Sequence, residues 1–144
     1  MNLNSLYLTG SLPISSISTD AGVPKCKKIE IACESHDQGW SSYPRDHGTY
    51  NNSWTWGEIS IITPKKNNNL EVRLIEKEPI TRYRVYTNKH AVDDWQTHNF
   101  EFLSHHPLVK SLQPGDIVGL WIRSCYPGWR NYIKRAEIKF YYTV

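Results

Sequence analysis

The sequence predicts an all-β fold, an antiparallel β-sandwich of jelly-roll or galactose-binding-like type with seven or more strands and at most one short helical turn. Three observations predict it. Period-two hydrophobic patterning dominates from residue 26 onward. Six Trp and nine Tyr stand against a single Met, and large rings suit pleated, half-buried surfaces. Pro, Gly and Asn clusters fall between the alternating runs rather than inside them. A closed barrel is the alternative architecture.

Taken in order, CKKIEIAC turns Ile29, Ile31 and Cys33 one way and Lys28 and Glu30 the other. In SWTWGEISII, strict alternation would set Trp54 and Trp56 opposite Ile59 and Ile61. A bulge at Gly57 would slip the register by one and bury all four together, and we expect that bulge, because exposing two indoles costs apolar area. TPKKNNN (63–69) reads as a hairpin loop. NLEVRLIE then points Leu70, Val72 and Leu74 inward, and EKEP (76–79) is a tight connection. TRYRVYT sets Tyr83 and Val85 against Arg82, Arg84 and Tyr86, and NFEFLS buries Phe100 and Phe102. HPLVKSL, with Pro107 at a first helical position, is the helical turn. QPGD (113–116) suits a type II turn. DIVGLWIR is apolar on both faces and predicts a central strand. RAEIKFYYTV turns Ala136, Ile138, Phe140, Tyr142 and Val144 inward.

The chain of 144 residues predicts one domain, a sandwich over residues 26–144 preceded by a Ser- and Thr-rich arm at 1–25, partly ordered and laid across it. The start lacks the basic and apolar regions of a secretory signal, and no apolar run has bilayer length. The expectation is a cytoplasmic protein with reduced Cys26, Cys33 and Cys125, no membrane span and no cofactor. The net charge of +3 is scattered, which argues against nucleic acid as a partner. Arg82 and Arg84 sharing a strand face with Tyr86 could grip a single strand, but an exposed face of alternating Arg is usually only solvated.

Function concentrates in two loops. Residues 35–58, SHDQGWSSYPRDHGTYNNSWTWGE, crowd Trp and Tyr among His, Asp and Arg, and RSCYPGWRNY repeats the mixture later. Sugar recognition needs a flat apolar platform for the C–H face of a pyranose and fixed polar groups for its hydroxyls. Trp40 and Trp129 are the expected platforms. Asp37, Arg45, Asp46, His47 and Asn131 are the expected hydroxyl partners, with His36, Tyr126 and Arg130 beside them. The competing reading is structural, in which the aspartates cap turns and the indoles plug the open end of the core.

A resemblance joins these loops. HDQGWSSYP, HGTY, SWTW and LQPGDIVGLWIRSCYPGWRNYIKRAEI resemble a β-rich domain of uncharacterised fungal proteins, over about residues 26–140. The resemblance implies a fold unit of fungal origin without an established activity. Its members often carry an acidic residue where this chain has Arg45, which alters the charge of the loop. The general appearance is similar to galactose-binding-like and lectin-like modules. The expected function is therefore non-catalytic recognition of a carbohydrate or polyol. The alternative is a protein-interaction or self-association module using the same rings.

Other chemistry has weaker support. His36, Asp37, Asp46 and His47, or His105 with His106, are metal-ligand types without zinc spacing, and carboxylates are too sparse for calcium. A hydrolase built on Cys33 and His36 would pair a thiol with an imidazole, yet Cys33 has the inward parity of an inert buried thiol.

Overall fold

A computed structural model describes residues 2–12, 24–64, 70–72 and 81–143. Among the described residues, eight strands form two antiparallel sheets. The larger contains β1 (Leu3–Ser11), β7 (Ile117–Ser124), β3 (Thr55–Pro64) and β4 (Leu70–Val72) in that order, with β5 (Tyr83–Thr87) also paired to β3. The smaller has β2 (Lys25–His36) between β6 (Gln96–Leu103) and β8 (Tyr132–Thr143). The chain changes sheet at every connection except those joining β3, β4 and β5, so spatial neighbours are rarely sequence neighbours. That is the jelly-roll style of winding. No described helix is long and apolar enough to cross a membrane.

The core lies between the sheets. Ile29, Ile31 and Cys33 of β2 meet Ile59 and Ile61 of β3, Val118 and Leu120 of β7 and Phe102 of β6. The helical turn α1 (Pro107–Ser111) closes one side with Leu108 and Val109. The predicted inward parity of Ile29, Ile31, Cys33 and Phe102 and the central place of β7 both hold. The rest of the NLEVRLIE strand and the EKEP connection lie outside the described residues, as do residues 65–69, while Thr63 and Pro64 extend β3.

Bulges account for the differences from strict alternation. Leu3–Ser11 is not an arm but an edge strand of the larger sheet, paired with β7 from Leu3–Ser124 to Ser11–Ile117. A register shift between Leu6 and Leu8 breaks its alternation and hides the strand. In β3 the predicted bulge does not form: Thr55 to Ile62 pair with β7 without a shift, so Trp56 faces away from the core. The irregularity sits in the partner strand, where Gly57 pairs with Tyr86 and Glu58 with Arg84. The extra residue turns both Val85 and Tyr86 inward, opposite to the parity expected for Tyr86. Gly57 is required there, since a Cβ would come 2.2 Å from the Tyr86 ring. Phe100 has the inward parity but keeps 41% exposure on edge strand β6, and Tyr142 keeps 43% beyond the bulge between Cys26 and Lys28.

Candidate functional site

The two loops meet at one end of the sandwich, where polar groups fix their backbones before any ring is placed. Asp37, fully buried at the end of β2, accepts from the main-chain N–H groups of Gly39 at 2.8 Å, Ala91 at 2.6 Å and Val92 at 3.1 Å. It thereby clamps the 37–40 turn to the loop after β5, where Ala91 adopts a left-handed φ of 56°. Burial pushes its carboxyl above the ordinary range, against the three N–H donors that favour the charge. Asp37 is thus a structural clamp rather than a ligand group.

His90 does for residues 41–52 what Asp37 does for 37–40. Its imidazole is buried. Nδ1 faces the carbonyls of Asn51 and Asn52 at 3.0 and 2.9 Å, so Nδ1 carries the proton and Nε2 accepts from Ser41 Oγ. Main-chain bonds Gly48 N to His90 O and His90 N to Thr49 O complete the clamp at 2.8 and 2.7 Å. Beneath it lies a buried amide network. Asn88 Nδ2 donates to Thr55 Oγ1 at 3.0 Å and to Asn131 Oδ1 at 3.1 Å. Ser35 Oγ donates to Asn88 Oδ1, and Ser53 Oγ to Asn88 O. Asn131 in turn donates to the carbonyls of Trp56 and Arg123 at 2.9 and 3.1 Å. The network ties β2 of one sheet to β3 of the other, and it consumes Asn131, which is buried and has no free edge for a hydroxyl.

On this base the rings converge. Gln38 bridges the loops, donating from Nε2 to Trp40 O at 2.7 Å and accepting at Oε1 from Arg130 N at 3.1 Å. Trp40, 60% exposed, lies along Gly128, where a Cβ would approach its Cη2 to 3.2 Å. Gly128 also has a φ of 86°, so the turn and the close approach both require glycine. Trp129 packs edge-on against His90, with centroids 5.0 Å apart, and Trp54 against Tyr126 at 4.9 Å. An open cleft of about 430 Å³ lies among Tyr43, Asn52, Trp54, Tyr126 and Trp129. On the other side of Trp129, a second hollow of about 490 Å³ is lined by Asn2, Arg130 and Tyr132 among others. Asn52, which lines the cleft, is oriented by donating from Nδ2 to Asp46 Oδ2 at 2.8 Å.

The predicted site residues therefore separate. Trp129 and Tyr126 line the cleft, Trp40 adjoins their turn, and Arg130 lines the second hollow. Asp46 supports Asn52, exposed His47 lies 3.1 Å through Nε2 from Ser41 Oγ, and exposed Arg45 forms no ion pair among the described residues. His36 is elsewhere: it faces out from the smaller sheet, stacked on Tyr132 at 5.0 Å with Trp95 edge-on at 4.4 Å. Cys33 points into the core, where burial pushes its thiol up to about 12, so a thiolate–imidazole pair with His36 has no geometry. Among the described residues no group of three His, Cys, Asp or Glu side chains is placed to hold a metal ion.

No known family model, curated protein or solved structure matches the chain. The cleft stands on its own geometry.

Sequence reasoning missed Asn52, Asn88 and His90. Asn52 lies within the 35–58 stretch without being singled out. Asn88 and His90 sit in NKHA, which has neither periodicity nor a motif, and their burial depends on partners far away in sequence.

Proposed function

We propose that the protein is a lectin-like recognition module that takes a carbohydrate or similar polyol in the cleft between Tyr43, Trp54, Tyr126 and Trp129. One observation carries the reading: rings from two distant segments wall a single open hollow with an oriented amide, Asn52, at its edge. Among the described residues the indole N–H groups of Trp54 and Trp129 have no protein acceptor, which leaves a donor beside each apolar face. Apolar walls with a few placed polar groups are what a pyranose requires. The cleft is walled without any arginine, lysine or carboxylate, which favours a neutral sugar. A glycan array read with the wild type, Tyr43→Ala and Trp129→Ala tests this. Binding to at least one neutral glycan should be present and then lost in both variants; an array without signal for the folded wild type sinks it.

A second reading has its own observation. Trp40, Tyr43, Tyr50 and Tyr126 are each more than half exposed, at 60, 60, 59 and 51%, and aromatic rings of that kind anchor protein interfaces. Under this reading the loop end meets a partner chain or a second copy, and the mass in size-exclusion chromatography with light scattering rises with concentration.

A further inference from the structure

The outer face of the larger sheet carries a second set of charged and aromatic side chains that plays no part in the loop-end cleft. Glu58 is its hub. Its Oε1 accepts from Arg123 Nη1 and forms an ion pair with Arg82 Nε, each at 2.9 Å, and its Oε2 accepts from Trp56 Nε1 at 2.8 Å. Both oxygens are thereby engaged. Arg84 stands directly opposite Glu58 in the β3–β5 register, yet its contacts are Thr87 Oγ1 at 3.3 Å and the Trp56 ring at 4.7 Å. It has no ion pair among the described residues. Two guanidiniums therefore share one carboxylate and a third stands beside it unpaired, so positive charge is left over.

These guanidiniums are also held in place. Arg82 lies over Trp121 at 4.4 Å, and Arg84 and Arg123 share Trp56 at 4.7 and 5.2 Å. Arg82 Nη2 donates to Asn4 Oδ1 at 2.7 Å and Arg123 Nε to Leu3 O at 3.3 Å, so β1 braces two of the three. Trp121 Nε1 is fixed by Ser60 Oγ at 2.8 Å. Planar donor forks already immobilised on aromatic supports lose little freedom when an anion arrives.

We propose that this face binds an acidic polysaccharide, its sulfate or carboxylate groups seated among Arg82, Arg84 and Arg123. The surplus of guanidinium over carboxylate supplies the charge complementarity, and the forks match the geometry of both anions. A single-stranded nucleic acid fits less well. Its grip relies on bases stacked upon open rings, and here guanidiniums already cover the Trp56 and Trp121 faces. The proposal does not rest on the cleft, which lies at the loop end and has no arginine in its walls.

Titration calorimetry at low salt with a heparin-derived hexasaccharide, its unsulfated counterpart and a single-stranded RNA oligomer tests it. The sulfated chain binds and the unsulfated chain does not. Arg84→Gln, an exposed position without an ion pair, weakens binding at least about fivefold, the loss of one charge-assisted contact. Arg135→Gln removes the same charge from β8 of the other sheet and leaves affinity within about twofold. Absence of binding to the sulfated chain overturns the proposal. So does equal weakening by the two variants, which would mean diffuse attraction, and so does RNA binding more tightly than the sulfated chain.

Discussion

Trp56 and Trp121 on the sheet face, set against Trp40, Trp54 and Trp129 at the loop end, show one residue type under two regimes. On the sheet each indole N–H is bonded, to Glu58 and Ser60, and each ring lies under arginine. At the loop end, among the described residues, the indole N–H groups have no protein acceptor and the rings border open space. A ring with both its dipole and its face satisfied contributes to stability. A ring with its N–H unbonded and its surface partly open contributes less. What separates the two is the neighbourhood: strand register brings guanidiniums and a carboxylate to the first set, whereas the second stands on loop backbone clamped by Asp37 and His90, with the His90 ring against Trp129.

The sharpest way to break this contrast is to remove what holds up the loop end. Asn88→Leu strands the polar atoms of Thr55, Ser35 and Asn131 in the interior, and should cost about 3 kcal/mol in urea unfolding. A loss below about 1 kcal/mol would mean that water replaces the amide. Next comes Trp56→Ala, which removes the platform of two arginines together with half-buried ring area, for about 2 kcal/mol. Smaller again is the pH response of His98, which stacks on Tyr86 at 4.5 Å and whose Nε2 lies 3.3 Å from Asn88 Oδ1. Burial lowers its folded value to about 4. The unfolded chain therefore takes up a proton that the folded one excludes. Stability is whole above about pH 6.5 and declines as pH falls from there to about 4, by about 1 kcal/mol once solvent screening is allowed for. Urea midpoints at pH 7.0 and 4.5 should differ in the wild type and converge in His98→Gln. The smallest effect is expected for Trp40→Ala, under about 0.5 kcal/mol, because a ring 60% exposed has little burial to lose. An equal cost for Trp40→Ala and Trp56→Ala would erase the distinction between the two regions.

The sequence displayed the strands wherever alternation ran unbroken. CKKIEIAC could be placed with its inward face, because a buried face imposes period two on the residues themselves, and DIVGLWIR could be placed as central because both its faces are apolar. Where a bulge adds one residue, the pattern reverses midway and reads as noise. That happened at Leu6–Leu8, which hid β1, and at Val85–Tyr86, which reversed the expected side of Tyr86. The glycine in SWTWGE was correctly suspicious but for another reason: it makes room for a ring from the neighbouring strand. At the loop end, composition disclosed the aromatic walls, since Trp and Tyr announce themselves. The supports did not. The partners of Asn88 are 33 and 43 residues away at Thr55 and Asn131, and an asparagine looks the same in sequence whether it is solvated or buried.

The interleaved winding also shapes how the molecule comes into being. Leu3 is bonded to Ser124, 121 residues further along, and among the described residues β1 has no other strand partner. β1 must wait for β7 to be synthesised before that pairing can form. Folding should accordingly be slow, with a single late zippering step, and the newborn chain carries an unsatisfied edge throughout its translation. A lone β1 trapped by another nascent copy is the hazard this topology accepts in exchange for pairing strands so far apart in sequence.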